Sequence, residues 1–133
     1  MNKLKSSKRD LYYTNRHEWI DFQGSIAYIG ACPIKLKNIP GVEELQIEDN
    51  AGFARQGEII ARIQCNGITV PMYMPVEGKI ISINEVMLSG NHQMLLEQPQ
   101  NNGWLALIAP SKPYDRSGLM QAEQYMAFVK QKR

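Results

Sequence analysis

Apolar and polar positions alternate with a period of two along most of this chain, and short glycine-bearing breaks cut the alternation into segments. Residues 19–22 and 25–30 read as two strands joined at Gln23-Gly24, a hairpin. Pro33 suits the first turn of a short helix that Pro40-Gly41 stops. Residues 42–47 form a looser strand, and 48–58 a polar loop. Residues 59–65 and 68–74 make two more strands around Asn66-Gly67. Asn-Gly is the strongest short signal for a two-residue type I′ hairpin, because both central residues must take positive φ. Lys79, Ile81 and Ile83 alternate with Ile80 and Ser82 in the next strand, which runs on from Gly78. Residues 88–102 read as a loop with a helical turn around Met94 and Leu96, and residues 103–109 as a last strand. Residues 117–132 form a closing amphipathic helix, with Ser117 as its cap and Leu119, Ala122, Met126 and Val129 at helical spacing. The fold class that follows is mainly β. It is a sandwich or flattened barrel with a short early helix and a C-terminal helix.

With 133 residues, 44% of them hydrophobic and 21% charged, the chain has the length and composition of one globular domain with a sizeable core. We expect a basic tail over 1–11 and a single domain over 12–133. No apolar run reaches the roughly 18 residues of a membrane span, and the basic first residues lack the apolar core of a secretory signal. The net charge of +2 gathers at the two ends, at Lys3, Lys5, Lys8 and Arg9 and at Lys130, Lys132 and Arg133. A basic stripe interleaved with aromatics is missing from the body, which argues against nucleic acid as partner. Cys32 and Cys65 have no CxxC partner and no neighbouring His. That is not metal-ligand spacing, and it fits free thiols in a reducing, cytoplasmic setting.

Several stretches together carry a family resemblance. "YYTNRHEWI" at 12–20 resembles the opening of the glycine cleavage system H protein, Tyr-Thr-x-x-His-Glu-Trp-Val. "AYIGACPIKLKNIPG" sits where that family has a strand and a short helix, and "RQGEIIARIQ" where it has Ala-Gly-Asp before a hairpin. "MPVEGKIISIN" is similar to Ala-Pro-Val-Ser-Gly-x-Val-x-x-x-Asn. "NNGWLALI" is similar to Gly-Glu-Gly-Trp-Leu, and "LMQAEQYMAFV" to a closing helix with Ala-Glu-x-Tyr. The resemblance runs from Tyr12 to Val129. It implies a lipoyl-type flattened barrel of two small sheets. It also implies a non-enzymatic carrier whose covalent lipoate, on one lysine, shuttles an aminomethyl group among the P, T and L proteins.

The family's hairpin reads Glu-x-x-Lys-Ala, with the lysine eight residues before the proline of Ala-Pro-Val. Counted back from Pro75, that position is Gly67, and the family's glutamate falls on Gln64. The tip therefore holds Gln64, Cys65, Asn66 and Gly67, and no amine to bear lipoate. Biotin carriers share the offset and fail at the same place; "MYM" at 72–74 lies on the returning strand and has no lysine. Lys35, Lys37 and Lys79 read as solvated charges, and Cys65 as a small packed side chain without the cationic neighbours a reactive thiol needs. His17 and Glu18, adjacent on a strand, point to opposite faces and form no acid–base pair; the resemblance places them at a residual docking surface. Trp19 reads as core, His92 as a solvated loop residue, and Trp104, Tyr114 and Asp115 as the joint between last strand and final helix.

Two functions compete. One is an H-protein-like interaction or regulatory module without lipoate, its partners cleavage-system P, T or L proteins or a lipoate-handling enzyme. The other is a working H protein carrying lipoate through an unusual attachment residue, which needs chemistry the tip does not offer. An independent enzyme has the least support, with no paired carboxylates, no nucleophile beside a base and no phosphate loop.

Overall fold

The computed structural model describes residues 9–48, 52–90, 92–111 and 116–131. Two antiparallel sheets enclose one core. The larger has the order β1-β2-β3-β9-β8-β5 and the smaller β4-β6-β7. The strands are β1 (Leu11–Tyr13), β2 (Glu18–Gln23), β3 (Ile26–Ala31), β4 (Glu44–Ile47), β5 (Phe53–Ala54), β6 (Ile59–Cys65), β7 (Ile68–Tyr73), β8 (Gly78–Ile83) and β9 (Ala106–Pro110). A 3-10 turn spans Pro33–Leu36, two single-turn helices follow at α1 (Glu85–Leu88) and α2 (Met94–Glu97), and α3 (Ala122–Gln131) closes the chain. The result is a flattened rather than closed barrel. No helix among the described residues is long and apolar enough to cross a membrane.

The period-two pattern builds this arrangement directly. Inward residues of both sheets, among them Ile20, Phe22, Ile29, Ile63, Met72 and Ile108, share one buried cluster with the flanking Met74 and Leu105. A second cluster lies on the other face of the larger sheet, where Tyr13, Trp19, Tyr28 and Cys32 pack with Tyr125 of α3. Both faces of that sheet are therefore partly covered. This explains why β2 reads as five consecutive buried residues instead of alternating.

Some elements differ from the sequence reading. The polar loop contains β5, a two-residue edge strand paired with Gly78 and Lys79. The strand after Gly78 stops at Ile83 because Asn84 caps α1, its side chain accepting the Val86 N–H at 3.1 Å. The closing helix starts at Ala122, not near Ser117. Met120 instead makes a bridge to Tyr13 that keeps this stretch extended. Gln124 then accepts the Gln121 N–H at 2.9 Å and caps the helix start. The helix buries Tyr125 and half-buries Phe128 and Val129, while Ala122 and Met126 face solvent. Arg9, Asp10 and Leu11 belong to the folded body rather than to a tail. Arg9 pairs with the buried Asp21 at 3.2 Å, Asp10 donates its N–H to the same carboxylate at 2.8 Å, and Leu11 opens β1.

Candidate functional site

The hairpin β6–β7 closes where the sequence predicts. Cys65 pairs with Ile68, and between them Asn66 and Gly67 take φ of 52° and 79°. Residues of β4 and the residue just before it hold the tip. Glu43 accepts the Asn66 N–H at 3.1 Å and donates its own N–H to the Gln64 carbonyl at 2.8 Å. On the outer face Gln64 donates to Gln46 at 3.0 Å, and Gln46 donates to Glu44 at 3.3 Å. Cys65 turns into the core and is buried.

The chemistry of this donor set does not suit a covalent arm. An acyl amide needs a nucleophilic primary amine. Positions 64–67 offer an amide, a buried thiol, a second amide and no side chain. Space is not the obstacle, because a Cβ on Gly67 would meet nothing within 4 Å. Among lysines away from the tip, Lys79 lies exposed on the other sheet, against Phe53 and Ala109, and Lys37 is exposed after the 3-10 turn.

Lys35 overturns the expectation of a solvated charge. Its side chain is only 8% exposed, its ammonium lies 2.6 Å from Glu18, and it donates to the Arg16 carbonyl at 2.7 Å. Glu18 is buried and fully engaged. One oxygen accepts from Thr14 at 2.9 Å and the other from Lys35 and from the Tyr73 N–H at 3.0 Å. Buried in this way, the Glu18 carboxylate cannot serve as a docking contact, which corrects the surface expected for the His17–Glu18 pair. The two side chains do not meet. His17, half-buried with φ of 71°, sets Nδ1 2.8 Å from the Tyr125 hydroxyl and fastens α3 to the turn before β2. Nothing local in the sequence links residues 14, 18, 35 and 73; the topology brings them together.

Behind His17 lie the buried Cys32 and Tyr125. Burial pushes the Cys32 thiol up to about 12, and it also raises the Tyr125 hydroxyl, whose hydrogen bond with Cys32 acts in the same direction. Trp19 is fully buried and donates from Nε1 to the Pro99 carbonyl at 2.9 Å. Trp104 precedes β9, packs edge-on against Tyr28 and joins the cluster that holds Tyr125 of α3; Tyr114 and Asp115 lie outside the described residues. His92 sits half-exposed in the turn before α2.

Comparison with known proteins agrees with the fold. Residues 11–132 match the family described as glycine cleavage H-protein. A glycine cleavage system H protein of Anaeromyxobacter sp. (strain K) is 30% identical over 122 residues, covering 92% of this chain and 94% of that protein. The one from Bacteroides fragilis is 27% identical over 121 residues, 91% of this chain and 95% of the relative. The crystal structure of a glycine cleavage system H protein from Mycobacterium marinum superposes with a TM-score of 0.78, at 18% identity, over 93% of this chain and 99% of that one. The chain belongs to the glycine cleavage H-protein family.

Proposed function

We propose that this member works without lipoate, as an interaction or regulatory module that keeps the H-protein body. Its family consists of lipoyl carriers rather than catalysts, and the chain is no enzyme. H proteins interact with the cleavage-system P, T and L proteins. The partner of this chain is one of those or a lipoate-handling enzyme. The observation that carries the reading is the hairpin tip, which closes on Asn66 and Gly67, where the family resemblance counted back from Pro75 expects the lysine. The reading is supported by a tip that closes in register with contacts from Glu43 and Gln46, a well-formed hairpin with no amine among residues 64–67.

The test is the intact mass of the chain co-expressed with a lipoate ligase and lipoate, beside a Gly67→Lys variant. The reading expects no adduct on the wild type and a lipoyl adduct on the variant. An adduct on the wild type would overturn it in favour of a working carrier, and peptide mapping would then name the unusual attachment residue.

A further inference from the structure

Arg16 stands at the solvent end of the Glu18 cluster, in the exposed turn between β1 and β2. Its guanidinium carbon lies 4.3 Å from the centroid of the Tyr73 ring. Its main chain is fixed as well, since the Arg16 N–H is donated to the Thr14 hydroxyl at 3.3 Å and its carbonyl accepts from Lys35 at 2.7 Å. Root and head of this side chain are both placed. Yet among the described residues no carboxylate pairs with the guanidinium and no acceptor takes its N–H groups. The adjacent charges cancel, because Lys35 is matched by Glu18 at 2.6 Å. The charge this end of the cluster shows to solvent is therefore that of Arg16, positive and uncompensated.

A guanidinium offers five N–H donors in a planar fork that fits both oxygens of a carboxylate. Stacking on an aromatic ring restricts its rotamers beforehand, which lowers the entropy lost when a partner binds. We infer that the Arg16–Tyr73 stack is the docking point for a carboxylate side chain on an acidic segment of a partner protein. This rests on the interaction-module reading and names the partner's chemistry. A turn with Asn15 and Arg16 both exposed presents an open face, suited to a protein segment laid across it. Arg16 then sets register and sign preference, the role charged contacts play best.

The experiment is an amide NMR titration of the full-length, unmodified chain with a hexaglutamate peptide, with hexaglutamine and sodium acetate as separate arms. Hexaglutamate should move the resonances of residues 14–18 and Tyr73, hexaglutamine should not, and acetate should need a higher carboxylate concentration. Arg16→Ala should weaken hexaglutamate binding about two- to fivefold, the scale of an exposed charge pair, and Arg16→Lys should fall between. A spectrum of the variant that is unchanged away from the turn shows that it is folded. Unchanged affinity in Arg16→Ala, or shifts centred on Lys37, Arg55 or Lys79 instead, would overturn the inference. Acetate binding as tightly as the peptide would overturn the assignment to a protein segment. Because the titrated chain carries no adduct, these failures are separate from failure of the lipoate-free reading, which intact mass decides.

Discussion

The Lys35 ammonium and the Tyr73 backbone N–H meet on one oxygen of Glu18, at 2.6 and 3.0 Å, so a single buried carboxylate ties β2 of the larger sheet to β7 of the smaller and to the 3-10 turn. Removing one member leaves the other charge buried without its counter-charge. Glu18→Ala or Lys35→Ala should therefore each cost about 3 kcal/mol in urea unfolding. The paired replacement Glu18→Gln with Lys35→Met should cost less than the sum. Additive losses would mean that the two groups do not act as a unit.

Gly30 and Gly67 should respond to alanine for different reasons. A Cβ on Gly30 would lie 2.7 Å from the Trp19 ring, and Trp19 is fully buried. Gly30→Ala should lower stability by about 1–3 kcal/mol, with a change in Trp fluorescence as the ring shifts.

At Gly67 the cost is conformational alone. The surroundings are open but φ is 79°, so Gly67→Ala or Gly67→Lys should cost about 1 kcal/mol and leave the Trp signal unchanged. Thermal melts of both variants check this, and they also show that the lysine variant used for mass analysis is folded.

Alkaline pH should destabilise the protein through Cys32. Its thiol, ordinarily near 9, is held protonated in the fold up to about 12 by burial. Below the unfolded value both states keep the proton and the fold loses nothing. As pH rises from about 9 to 12 the unfolded thiol ionises first, and stability falls. The loss near pH 10 should be about 1–2 kcal/mol in urea titrations, and Cys32→Ala should flatten the slope. The raised Tyr13, Tyr28 and Tyr125 hydroxyls extend the decline at higher pH.

Much of the architecture is written locally. Period-two alternation placed most of the strands because it reports which side of a pleated ribbon meets the core. Asn66-Gly67 placed the sharpest turn because few residue pairs accept two consecutive positive φ values. The short β5 carried no readable pattern, since two residues cannot show a period. The start of α3 is not legible locally, because Met120 is held extended by its bridge to Tyr13, more than a hundred residues away in sequence.

The sequence by itself determined what the hairpin tip can do chemically, because an amine is present or absent regardless of fold. It also determined the family, through motifs kept in order over nearly the whole chain. Only the tertiary structure decided the fate of the charges. Lys35 looks like any surface lysine, and Glu18 like a docking residue, until the two sheets close around them. Burial then forces each to find the other, while Arg16, one turn away, remains stacked on Tyr73 and open to solvent. Solvation is a property of the assembled surface, set by neighbours distant in sequence, and no local pattern encodes it.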